Sequence, residues 1–346
     1  MPTRPLGSIP LPSVKMPVDN SPSLCKQIAD VICQVARFIF SPFIAVYHWA
    51  CPINPVTQSR EFKLIPTGVE KFIGKIAYAP LVERSGGEIF ATHPLHGKYA
   101  TLVEEVGKKL AKECPRQDLE YEFKLIDSQQ ENAWCLPGGK IGINLGLIQK
   151  MELETSDYGM GYKPSLAEKV AAVLSHEITH AAARHGGRRI ELSLFLFVAI
   201  QAVKYAFSYF ARRSYAQEIE KTHDPVRRAH LVLQQNLATE NSLRFLDPLG
   251  SWLLSGLSLC GSRSHELEAD KFGMLLLSKT HTAPLDKKSP RAAVWLMHYF
   301  QHHHSSKTDI GWVDWIRGLF ASHPSPEERL AANIKTWETL KTTGTV

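Results

Sequence analysis

Residues 173–187, VLSHEITHAAARHGG, restrict this 346-residue chain more than any other stretch. His176 and His180 stand four apart, with Glu177 directly after the first. On an α-helix, positions i and i+4 lie one turn apart on the same face, so both imidazoles can be directed at one ion. Glu177 sits about 100° further round, where it reaches a water on that ion without ligating it. A zinc ion lowers the pKa of such a water to about 7 and polarises a carbonyl. A carboxylate in that place accepts the water proton and later delivers it to a leaving amine. The flanks predict a continuous helix: SLAEKVAAVLSHEITHAAARH is rich in Ala and Leu. Ser165 and Glu168 have the spacing of a capping box, and Gly186 and Gly187 mark the expected end.

A catalytic zinc takes three protein ligands and a water, so a third donor must come from elsewhere. SRSHELEADKFG, residues 262–273, precedes an apolar helical run and holds Glu266, Glu268 and Asp270. Glu266 and Asp270 share a helix face, whereas Glu268 points elsewhere. That spacing suits one ligating carboxylate and one that orients a ligand histidine.

The rest of the chain reads as one large domain or two modest ones. Hydrophobic residues at 44% and charged residues at 21% suffice for a core. A net charge of +6 without a Lys/Arg run gives no reason to expect a nucleic-acid partner. The six cysteines form no CxxC pair, so no disulfide framework is expected. Residues 1–24 are Pro-rich, have no early apolar run, and read as a disordered tail rather than a usual cleavable signal peptide. Residues 25–52 form an amphipathic, then apolar, membrane-proximal segment too short for a span of about 20 residues. A catalytic domain is expected over 53–340.

Within that domain, EFKLIP (61–66) and EYEFKLID (120–127) read as strands, and residues 96–114 as an amphipathic helix. NAWCLPGGKIGINLGLI carries a Pro-Gly-Gly hairpin turn. Helices dominate beyond residue 165. The apolar segment 192–210 approaches the length of a span, but Gln201, Lys204 and Ser208 fall on one side. That pattern favours a buried or interface-resting helix. A second apolar segment covers 247–261, and the charged stretch 213–244 between them reads as an insertion that could form a lid. QHHHSS, residues 301–306, reads as a loop.

HEITH followed by SRSHELEAD resembles the HtpX/BepA/Oma-type zinc metallopeptidases, metallopeptidase family 48. These are gluzincins, whose third ligand is a glutamate. ENAWCLPGGKI is similar to the family's Asn-Ala-x-x-x-Pro-Gly-Gly segment, CPINPVTQSREFKLIP to the opening of its mature domain, and SHPSPEERL to its late His-Pro element. The resemblance covers about residues 51–335, with the motifs in order, and is nearest to the Oma-like quality-control branch.

The resemblance implies an α+β, mainly helical, zincin-like fold with a small antiparallel sheet and an HExxH active-site helix. It implies one Zn2+ held by His176, His180 and Glu266, with Glu177 as general base and His323 assisting or capping the metal. Asp270 would orient a ligand histidine, and Arg329 would anchor the late element through a carboxylate. Gly138, Gly139, Gly142, Ile143 and Asn144 would form the strand that pairs an extended substrate. The expected activity is endopeptidic, on misfolded or membrane-proximal proteins, at a bacterial envelope or organelle membrane. The alternative is a non-proteolytic or self-inhibited metal-binding scaffold on the same fold. Cys51 stands where many relatives carry a lipidated cysteine, but His48 occupies the place of that signal's small aliphatic residue.

Overall fold

The structure is a computed structural model that describes residues 50–280, 289–304 and 326–343. The Pro-rich tail, almost all of the 25–52 segment and His323 lie outside the described residues.

Helix α1 (Thr67–Arg84) leads into strand β1 (Glu88–Ile89) and helix α2 (Gly97–Glu113). Tyr99, Val103, Val106 and Leu110 recur at helical spacing along α2 and are buried, as its periodicity predicts. Strands β2 (Glu122–Ile126), β3 (Ala133–Leu136) and β4 (Lys140–Asn144) follow. The Pro137-Gly138-Gly139 turn forms the expected β3–β4 hairpin, with both glycines at positive φ, +83° and +91°. That region favours Gly because it carries no Cβ.

The sheet order is β1-β2-β4-β3. It is mixed rather than antiparallel throughout, because β4 runs parallel to β2 while pairing antiparallel with β3. The reason lies in β4 itself: all five of its residues are buried, which suits a central strand covered on both faces. EFKLIP is not a strand. Its Leu64 and Ile65 backbone N–H groups donate to Glu191 Oε1 at 2.9 and 2.7 Å, so a side chain takes the place of a sheet partner.

Helix α3 (Leu145–Leu153) crosses to helix α4 (Leu166–Ala182), which carries the histidine pair. Ser165 caps α4 in the expected box: its Oγ accepts from the Glu168 N–H, and Glu168 Oε2 accepts from the Ser165 N–H. Val170, Leu174 and Ile178 of α4 are fully buried. Each such side chain contributes about 1.5–3 kcal/mol.

Helix α4 does not reach Gly186 and Gly187. It ends at Ala182, and Arg184 turns the chain in the left-handed region at φ 60°. A non-Gly residue there costs about 1–2 kcal/mol. The buried guanidinium offsets this by donating to Glu70, to Ile65 O at 3.1 Å and to Glu191 Oε1 at 2.8 Å. The two glycines open the next helix instead. A Cβ on Gly187 would lie 2.5 Å from Glu70 Oε1, so glycine is what lets that helix approach Glu70.

Helix α5 (His185–Lys221) and helix α6 (Pro225–Lys279) form a long antiparallel pair. The 213–244 insertion is therefore the distal end of a helical hairpin, with its turn near residue 223, rather than a separate lid. Asp224 caps α6 at its side chain, and Pro225 occupies the first turn. The 192–210 segment lies within α5 and is not buried: Leu194, Phe195, Phe197 and Val198 are each more than half exposed. From His265 onward α6 returns to the core and buries Ala269, Met274 and Leu277.

Helix α7 (Pro290–His304) buries Trp295 and Tyr299, and helix α8 (Pro326–Thr343) packs on α6 and α7. Residues 301–304, read as loop, complete α7. Their histidines have partners: His302 stacks on Tyr158, and His303 Nε2 meets Glu154 Oε2 at 2.8 Å.

Candidate metal centre

Helix α4 presents His176 and His180 one turn apart, and the returning end of α6 crosses it with Glu266 and Asp270. Three donor atoms converge. The Nε2 atoms of His176 and His180 are 3.0 Å apart. His176 Nε2 lies 3.4 Å from Glu266 Oε2, and His180 Nε2 lies 3.4 Å from Glu266 Oε1. A tetrahedral zinc with donors at about 2.0–2.2 Å has donor–donor edges of about 3.4 Å, so this donor set fits zinc in chemistry and spacing. It is also the one cluster of this kind among the described residues.

The surrounding charges are specific. His176 Nδ1 lies 2.9 Å from Asp270 Oδ1. Asp270 in turn accepts two bonds from Arg329, Nε to Oδ2 at 2.8 Å and Nη2 to Oδ1 at 2.6 Å. Burial alone would raise the Asp270 carboxyl, but Arg329 and His176 overcome it and hold the group down at about 2. Burial likewise opposes a charge on His176, yet Asp270 and Glu266 lift it to about 10. The carboxylates that hold a proton on that imidazole would also attract a dication. Arg329 Nη1 lies 3.3 Å from Glu266 Oε2 as well, so α8 is tied to both acidic residues.

Glu177 is not drawn into these pairs. Burial pushes its carboxyl up to about 7, with His176 opposing the shift and Glu266 adding to it. A carboxyl near neutrality is matched to taking and giving a proton. Strand β3 packs beside α4, and burial pushes its Cys135 thiol well up, with the Glu177 charge adding to the shift.

The substrate strand needs correction. Gly142, Ile143 and Asn144 belong to β4, whose two sides are filled by β2 and β3, so it has no edge to offer. Gly138 and Gly139 form the turn, and a Cβ on Gly138 would lie 2.8 Å from Lys71 Cα of α1. The edge strand of the sheet on this side is β3.

Two further residues reach the site. His185, the first residue of α5, is buried at 4% exposure, and its Nδ1 lies 2.8 Å from His180 Nδ1. Its Nε2 lies 3.0 Å from Glu268 Oε2, which also accepts from Arg188 Nη1 at 2.9 Å. His265 stacks on His185 with ring centroids 4.3 Å apart. Burial pushes His185 down to about 2 and His265 down to about 4, so both are neutral. The only sequence signal was a third histidine five residues after His180. Its direction depends on the turn at Arg184, which periodicity does not reveal. Glu268 does point away from the Glu266 face, and what it points at is His185.

A sequence profile of Peptidase family M48 matches residues 98–338. The chain is similar to the mitochondrial metalloendopeptidase OMA1 of Schizosaccharomyces pombe, 25% identical over 248 residues, which is 70% of this chain and 58% of that protein. It is also similar to the protein of the same name from Arabidopsis thaliana, 26% identical over 168 residues, 49% of this chain and 24% of that protein. The chain thus spans less than two thirds of the length of either relative.

Proposed function

The chain belongs to peptidase family M48, and from that premise we propose that it is a zinc-dependent endopeptidase acting on misfolded or membrane-proximal proteins. The observation that carries this reading is the convergence of His176, His180 and Glu266 beside the half-buried Glu177. His176, His180 and Glu266 would hold the zinc. When bound, it supplies an acidified water and a polarised scissile carbonyl. Glu177 takes the proton from the attacking water and delivers it to the leaving amide nitrogen. Asp270, clamped by Arg329, fixes the ring of His176. An extended substrate would pair with the β3 edge, beside Glu177. His323 is proposed to assist at the carbonyl.

Membrane association is proposed through α5. Among the described residues it is the one helix long and apolar enough to cross a membrane, and its apolar side chains are exposed. A mitochondrial setting is proposed on the similarity to the mitochondrial metalloendopeptidases named OMA1.

The test is Glu177→Gln in the full chain. Zinc content should be retained, while casein or peptide cleavage falls by about 10²–10⁴-fold. Equal cleavage by the wild type and the variant would refute Glu177 as the base.

A further inference from the structure

The two ligand histidines are oriented differently. His176 faces a carboxylate directly, at Asp270. His180 faces no carboxylate at its Nδ1; it faces another imidazole, His185, at 2.8 Å. To ligate through Nε2, His180 must carry its proton on Nδ1. A neutral imidazole pair can share that contact in two ways.

In the first arrangement His180 Nδ1–H donates to His185 Nδ1, and His185 Nε2–H donates to Glu268. In the second, His185 Nδ1–H donates to His180. Then the His185 Nε2 lone pair would face Glu268 Oε2 at 3.0 Å, and the His180 proton would sit on Nε2, pointing at His176 Nε2 and Glu266. Glu268 Oε2 already accepts from Arg188, and an ionised carboxylate is an acceptor only. It therefore repels the lone pair and selects the first arrangement.

We propose that His185 and Glu268 are positioning residues: Glu268 fixes the tautomer of His185, and His185 fixes the tautomer and ring of His180, so that the lone pair of His180 Nε2 points at the metal. The chain Glu268–His185–His180 does by relay what Asp270 does directly for His176. His265, stacked flat on His185, and Arg188, bridging Glu268 and Glu61, hold the relay in place. The turn at Arg184 is what brings His185 back over His180, so the left-handed residue serves the site as well as the fold.

This inference rests on the metal-site reading, but its first test needs no metal. In metal-free full-length protein labelled with 15N at histidine, long-range 1H–15N spectra report which ring nitrogen carries each proton. His180 should be protonated at Nδ1 and His185 at Nε2. A proton on His185 Nδ1 would overturn the proposal. The second test is zinc affinity by chelator competition. His185→Leu should bind zinc about 10–100-fold more weakly than wild type. His185→Asn, which can accept from His180 and donate to Glu268, should recover most of that loss. Equal affinity in the wild type and His185→Leu would overturn the relay. A wild type that binds no zinc would instead refute the metal-site reading, leaving the tautomer result to judge the relay. Should His185→Leu not fold, Glu268→Ala, at a partly exposed position, should show the same weakening with the His185 tautomer released.

Discussion

Helices α4 and α5 are separated by two residues and are both rich in apolar side chains, yet they stand in opposite environments. Leu174 and Ile178 of α4 are fully buried, while Phe195 and Val198 of α5 are 60% and 57% exposed. The difference lies in side-chain size and in what is left to pack against. Alanines on α4 let α2, the sheet and α7 approach closely. Among the described residues, the bulky Leu and Phe residues of α5 pack mainly beside α6. Helix α4 is thus covered by the described residues, whereas the apolar face of α5 is exposed among them. A metal centre built on the first and a membrane contact made by the second would divide the molecule's work at Arg184.

The largest effect that would break this comparison lies in α5. Phe197→Lys with Val203→Lys puts two charges in the exposed apolar stretch, each costing about 2.5–3.5 kcal/mol at the centre of a bilayer. The protein should move from the carbonate-resistant membrane pellet to the supernatant, with zinc binding unchanged. Retention in the pellet would remove α5 as the membrane element. Next in size is Leu174→Ala in α4, expected to cost about 2–5 kcal/mol of stability through the cavity it leaves, read as a lowered unfolding midpoint. A change below about 0.5 kcal/mol would mean that α4 is not the core.

The pH dependence of stability sharpens the same contrast. His265 and His185 are held down to about 4 and about 2 by burial, so in the unfolded chain they take protons that the folded chain refuses. Each should therefore cost the metal-free protein about 1.4 kcal/mol per pH unit as pH falls from about 6.5 toward its folded value, with Glu177, raised to about 7, opposing them down to about 4.5. His265→Gln should flatten that slope. An unchanged slope would place the acid sensitivity elsewhere.

How much of this was legible in the sequence follows from the range of each interaction. The capping box and the histidine pair are set by spacings of three and four residues, and they stand where the periodicity put them. Glu266 and Asp270 stand out as a pair because they share a helix face, and the family resemblance implies which of the two ligates. The sheet's mixed order was not legible, because whether β4 lies inside or at the edge depends on partners far along the chain. Nor was the role of His185. It depends on Arg184 adopting a left-handed turn, and that turn depends on Glu70 and Glu191, 114 residues away and 7 residues away in sequence. Of the two settings that the polar residues Gln201, Lys204 and Ser208 suggested for 192–210, the exposed Leu194, Phe195, Phe197 and Val198 remove the buried one.

The most direct measurement is the zinc content of the purified chain after gel filtration, compared with that of Glu266→Ala. About one zinc per chain is expected in the wild type and close to none in the variant, since two imidazoles alone leave the site one protein ligand short of a catalytic zinc set. Equal zinc in both proteins, or none in the wild type, would contradict the site described at His176, His180 and Glu266.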